Sequence, residues 1–401
     1  ENLLITGSSL DGGGDLGGFV GDNRGTLIIS NATHASLITS LSYEIGGFIG
    51  INEGTTTINF STNSGDISGL GQLGGFVGDN QNTLTIENSK NSGDVNGLSE
   101  VGGFVGINND SGSLTINHAT NTGLVVGTGD EVGGFVGDNN FSLIIRHSVN
   151  QGDIEGSREV GGFIGDSKSV TLTAVINEGE VTSQSTDTDD NAKVGGLVGE
   201  IEEISVIENA LNSGIVRGIM DLVGGFVGES IAPLIIKNST NTAMINEASF
   251  VFNSDNHEIG GFVGRSSDTL IIESSANLGR IGGASKIGGF IGGARNVTTL
   301  SAVQNFARIL GQDDESESGG LVGYVSDFGT LSIHQSTNDS LAQVFGISML
   351  GGFVGHNVGS TVVSNSTNSG KIVGMRDELG GFVGDNDATL TIENSTNYAE
   401  I

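Results

Sequence analysis

A chain of 401 residues with 69 Gly, one Pro and no Cys is neither collagen, which needs Gly at every third position with abundant Pro, nor a flexible linker, since 35% of its residues are hydrophobic. Lys and Arg total 15 against 47 Asp and Glu, and the formal net charge of −32 argues against nucleic acid or anionic lipid as partners, leaving cations and basic surfaces. The absence of Cys removes disulfides, thiolate metal sites and cysteine nucleophiles, and no apolar run approaches the roughly 18 residues of a membrane span.

From the N-terminus, the chain starts at Glu1 without an initiator Met or an apolar signal segment, as expected of a mature or excised chain. A glycine pair ahead of a large apolar residue then recurs, beginning at Gly17, Gly46, Gly74, Gly102, Gly133, Gly161, Gly195, Gly224, Gly260, Gly288, Gly319, Gly351 and Gly380. These are thirteen copies spaced 28 to 36 residues apart, the range of stacked repeat architectures.

Every copy has the same internal order. In 73–97, "LGGFVG" is followed by the polar turn "DNQN", the alternating segment "TLTIEN", an Asn-containing turn and "SGDVNG". Alternation through Thr83, Leu84, Thr85 and Ile86 places Leu84 and Ile86 on one face, the period-two pattern of a half-buried strand, and no stretch sustains a helical period. The expected fold is all-β: a single β-solenoid over 1–401 of about thirteen coils, one repeat per coil, with three short strands in each.

In a solenoid each side chain lies over its counterpart one coil away, so inward residues that pack well on themselves recur. Eleven of the 18 Phe fall in one column, including Phe76, Phe104, Phe135 and Phe163, with Leu197 and Leu321 in its two remaining places; this is the expected core spine. A second column is Asn, including Asn63, Asn91, Asn121 and Asn150, and is expected to form a structural ladder at a repeated sharp corner, because Asn tolerates the left-handed backbone region and can bond neighbouring amides. Longer excursions predict projecting loops near 182–193, 243–258 and 310–318, the second containing the apolar "SFVF".

The pattern G-G-[FL]-[VI]-G, a polar turn, then "NSxNxGxVxG" resembles the GLUG-type repeat of large surface and secreted proteins. The resemblance covers nearly the whole chain, with Phe where that repeat often has Leu. It implies an extracellular or cell-surface structural scaffold and no reaction.

Charge also forms columns. Directly after "GGFVG" come Asp138, Asp166, Glu200 and Glu229 in successive copies, then Arg265; two residues before the glycine pair come Glu100, Glu131 and Glu159. Such stacks either splay into solvent or hold a hard cation such as Ca²⁺, and the set Asp138, Asp166, Glu200, Glu229 is the candidate cation column. The six His are scattered without ligand spacing, and no triad, phosphate loop or isolated carboxylate pair stands out, so no catalytic residues, no other cofactor and no enzymatic activity are expected. Outward Thr and Ser such as Thr83, Ser113 and Thr389 suggest an ice-binding face, but the neighbouring Ile28, Ile144 and Ile235 interrupt it. N-x-[ST] sequons, candidates for glycosylation, occur at Asn31, Asn59, Asn109, Asn140, Asn238, Asn296, Asn338, Asn365 and Asn394.

The chain begins and stops partway through a repeat without a recognisable cap. One molecule's coil is therefore expected to seat the next, giving a head-to-tail homopolymer, a filament or surface-array subunit. An adhesin that binds glycans or surface proteins through its loops is the alternative, with ice binding and polysaccharide cleavage behind it.

Overall fold

The computed structural model describes residues 3–109, 111–185, 192–218, 222–246 and 258–401, and every regular element among them is a β-strand. It divides into two units, Glu1–Gln184 with Leu197–Glu203, and Ser185–Gly196 with Ile204–Ile401. Each is a parallel β-solenoid, and together they carry about thirteen turns, one per glycine pair.

A coil of the first unit runs Gly71–Gly74, Val77–Asn80, Thr83–Glu87, Lys90–Asn91 and Val95–Gly97. These five strands belong to three sheets, and two of the three faces are broken in two by a short turn. Each strand pairs in parallel with its homologue one coil away, Leu84 with Leu114 and Ile86 with Ile116. Leu84 and Ile86 are fully buried, while Thr83 is exposed and Thr85 half-buried, as the alternation requires. The second unit repeats the plan, with Val354 opposite Val383 and Asn368 opposite Asn397.

The glycine pair is dictated by space. A Cβ on Gly74 would lie 1.9 Å from the Val77 carbonyl oxygen of its own corner, and one on Gly75 would lie 2.3 Å from the Gly103 carbonyl of the next coil. The corner so formed turns the following Phe inward. Phe48, Phe76, Phe104, Phe135 and Phe163 are fully buried and stacked with centroids 4.6–4.9 Å apart. In the second unit Phe226, Phe262 and Phe290 stack at 4.5 and 4.8 Å.

The Asn column sits on this core rather than at the left-handed corner. Asn63, Asn91, Asn121 and Asn150 are fully buried, and each donates Nδ2–H to the Oδ1 of the next at 2.8–2.9 Å. Each also donates to the carbonyl two residues on, as Asn91 does to Gly93 at 2.9 Å. The left-handed residue lies three positions earlier, at Phe60 (φ 50°), Asn88 (φ 48°), His118 (φ 51°) and His147 (φ 49°). The expectation of an Asn-built corner is corrected accordingly: the amide is needed inside, where only a group that both donates and accepts can repeat along a column.

A second buried ladder runs through the residues read as a polar turn. Asn23, Asn52, Asn80, Asn108 and Asn139 are linked Nδ2 to Oδ1 at 2.7–2.9 Å. Of the three expected loops, those at 182–193 and 243–258 fall largely on 186–191 and 247–257, which lie outside the described residues, as does "SFVF". The third, near 310–318, is anchored by the buried Ser316, whose Oγ accepts from the Ile347 amide at 2.9 Å.

Candidate cation sites along a charged seam

The two charged columns, separate in sequence, meet in space. The residue two before a glycine pair turns towards the residue that follows "GGFVG", in its own coil and the next. Many residues in the column two before the glycine pair have left-handed backbone, including Glu44 (φ 61°), Glu100 (φ 55°) and Glu131 (φ 63°). In the first unit the carboxylate oxygens of Glu100, Glu131 and Asp138 lie within 4.8 Å of one another.

Asp138 is opposite Asp166 in the parallel ladder, and Asp166 is opposite Glu200. Asn140 donates to Asp138, whereas Oδ1 of Asp166 is buried without a hydrogen-bond partner. Burial pushes the Asp138 carboxyl up to about 8, assisted by Glu131 and Asp166. Burial likewise pushes Asp166 up to about 8, with Glu202 and Glu200 adding to it, and Glu131 up to about 7, with Glu100 and Glu159 adding to it. The seam therefore holds protons near neutral pH, the state that relieves repulsion among closely packed carboxylates.

Elsewhere the same seam is filled differently. Glu229, the fourth member of the expected cation column, belongs to the second unit, where it faces Arg265 at 3.8 Å and accepts from Ser267 Oγ at 3.2 Å. It is an ion-pair partner there. Glu258 is fully buried, with Arg265 Nε donating at 2.7 Å and Arg295 Nη2 at 2.6 Å. The next coil offers Gly293 at this point, where a Cβ would lie 2.3 Å from Glu258 Oε2, so the glycine leaves the room this pair occupies. One coil further, Lys286 lies over the Tyr324 ring at 5.2 Å.

The seam's combination at His356 gathers carboxylates around a His that the sequence shows without ligand spacing. His356 Nδ1 is 2.9 Å from Glu317 Oε1, and its Nε2 is 3.3 Å from Asp387 Oδ2 and 3.6 Å from Asp385 Oδ2. Hydrogen bonding to Glu317 raises the His356 pKa, and burial opposes it. The column itself held the signal: His356 and Asp385 occupy the same repeat position 29 residues apart and are ladder partners.

The sequons separate by burial. Asn31, Asn238, Asn296, Asn365 and Asn394 are exposed, four of them at the left-handed corner, and Asn59, Asn109 and Asn140 are half-buried. Asn338 is fully buried in the Asn ladder, accepting from Asn305 at 2.9 Å, so it is not a glycan acceptor in the folded chain.

Parallel coils in register, two internal amide ladders and a charged seam define a glycine-rich β-solenoid repeat protein. Residues 346–373 match the family model described as the GLUG motif, so this stretch of the chain is similar to a GLUG repeat. No curated protein and no solved structure matches it.

Proposed function

We propose that this chain is a structural scaffold of an extracellular or cell-surface assembly, and that copies associate head to tail by stacking coil on coil. The observation that carries the reading is the self-complementarity of the coil. Asn91 donates to the residue above the same bond that it accepts from Asn63 below, and Phe104 meets a Phe on each face. A surface built to receive a copy of itself in parallel register makes a heterologous contact, which propagates rather than closes. The occurrence of GLUG-type repeats in surface and secreted proteins supports the location, and the net charge of −32 disfavours side-by-side clumping.

Sedimentation velocity over a concentration series, paired with electron microscopy, tests this. The expected result is concentration-dependent growth into fibres one solenoid wide. Monomers at every concentration that bind a glycan array would replace the scaffold with the adhesin reading.

A further inference from the structure

The groups around His356 form a metal-ligand set that the scaffold role does not need. Asp385 and Asp387 alternate with Asn386, which itself is exposed but accepts from the buried Asn357 Nδ2 at 2.7 Å, so both carboxylates leave the strand Val383–Asn386 and its continuation on the face away from that bond. His356 comes from the coil before, opposite Asp385. Its ring is packed edge-on by Tyr324 at 5.7 Å and is only 14% exposed. Glu317 Oε1, an acceptor when ionised, takes the Nδ1–H at 2.9 Å, so that Nε2, once it gives up the proton it shares with Asp387, turns its lone pair towards the two aspartates. A carboxylate on the far nitrogen is the arrangement that orients metal-binding imidazoles and raises their basicity.

We propose that His356 Nε2, Asp385 and Asp387 bind one divalent transition-metal ion of the Zn²⁺ class, with Glu317 as the positioning residue. The ligand atoms all lie within 4.8 Å of one another. The separations of 3.3 and 3.6 Å from Nε2 lie at and slightly above the edge, about 3.3–3.4 Å, of a tetrahedron built on bonds of about 2.0–2.1 Å. Two aspartates neutralise the ion's charge, and the fourth position is left for water or a group from another molecule. Nitrogen ligation selects against Ca²⁺ and Mg²⁺, which take oxygen. The ion ties the coil of His356 to the coil of Asp385, and it takes the place of the proton that Nε2 otherwise shares with Asp387.

Isothermal titration of the chelator-treated full chain with ZnCl₂ tests the site, with circular dichroism confirming that each variant keeps its β-structure. One ion is expected to bind, with loss of at least about 100-fold in affinity for H356Q and for the D385N/D387N double variant. E317Q should retain the stoichiometry, weaken binding by about 10–100-fold and shift its pH dependence, because the imidazole is then held less basic. Co²⁺ in place of Zn²⁺ should give the intense visible bands of a four-coordinate ion in the parent chain and not in H356Q. Absence of binding in the parent chain would overturn the proposal. So would unchanged binding in H356Q, which would move the ion to the stacked pair His118 and His147, or displacement of Zn²⁺ by a tenfold excess of Ca²⁺.

Discussion

Asn91 donates Nδ2–H to Oδ1 of Asn121 at 2.9 Å, and both side chains are fully sealed from solvent. Because Asn91 also accepts from Asn63 at 2.8 Å and donates to the Gly93 carbonyl at 2.9 Å, its amide is satisfied on every side by atoms of three successive coils. Replacing it with Ala leaves a donor of Asn63 and an acceptor of Asn121 without partners. Asn91→Ala is expected to lower stability by about 3 kcal/mol, read as a fall in the urea midpoint. Asn91→Asp is expected to be worse, since a carboxylate presents an acceptor to the Asn121 oxygen and carries a buried charge.

The Phe column predicts a graded response. Phe104 is stacked between Phe76 at 4.9 Å and Phe135 at 4.8 Å, so Phe104→Ala opens a cavity in the spine and should cost about 3–5 kcal/mol. Phe104→Leu should cost about 1–2 kcal/mol, because Leu197 occupies the equivalent place fully buried and accepts from the Phe163 amide at 2.8 Å. Equal losses for the two variants would show that ring stacking, not volume, holds the column.

What could be read in advance follows from what repeats. The burial of Leu84 and Ile86 is a period-two signal inside one strand, and the Phe column is a period of one coil; both survive in a linear string. The seam does not, because Glu317 and His356 stand 39 residues apart and meet only when the residue before one glycine pair is laid beside the residue after the next. Asn80 was hidden for another reason. A polar "DN" beside a turn reads as solvated, and only the closed coil shows that Asp79 and Asn80 are both buried. The ladder Asn pointed to a corner on propensity, whereas the corner went to residues as unlike as Phe60 and His118, since tertiary register outweighs a preference of this size.

Glycosylation should follow burial rather than motif. Asn338 and Asn365 both satisfy N-x-[ST], but Asn338 Nδ2 is held by Asn368 Oδ1 at 2.9 Å while Asn365 is exposed at a left-handed corner. Expressed through a eukaryotic secretory route, the chain is expected to carry glycan at Asn365 and none at Asn338. Peptide mapping after enzymatic deglycosylation reads the outcome, and a modified Asn338 would mean that sugar was attached before the coil closed.

The acidic seam of the first unit makes stability depend on pH with a definite sign. Glu131, Asp138 and Asp166 keep their protons up to about 7, 8 and 8 when folded, against about 4 for exposed carboxyls. The folded chain therefore binds more protons than the unfolded one between these limits, and the slope of unfolding free energy with pH is negative. The contribution is complete below about pH 4 and is lost as pH rises towards 8, by up to about 1.4 kcal/mol per group and pH unit. The urea midpoint should fall between about pH 5 and about pH 9, and the fall should shrink in D138N/D166N, which is neutral at both positions throughout. General repulsion from the net charge of −32 acts in the same direction but is screened by salt, so the part that persists in about 1 M NaCl and disappears in the double variant belongs to the seam. A midpoint that rises with pH would mean that these carboxylates are ionised in the folded chain.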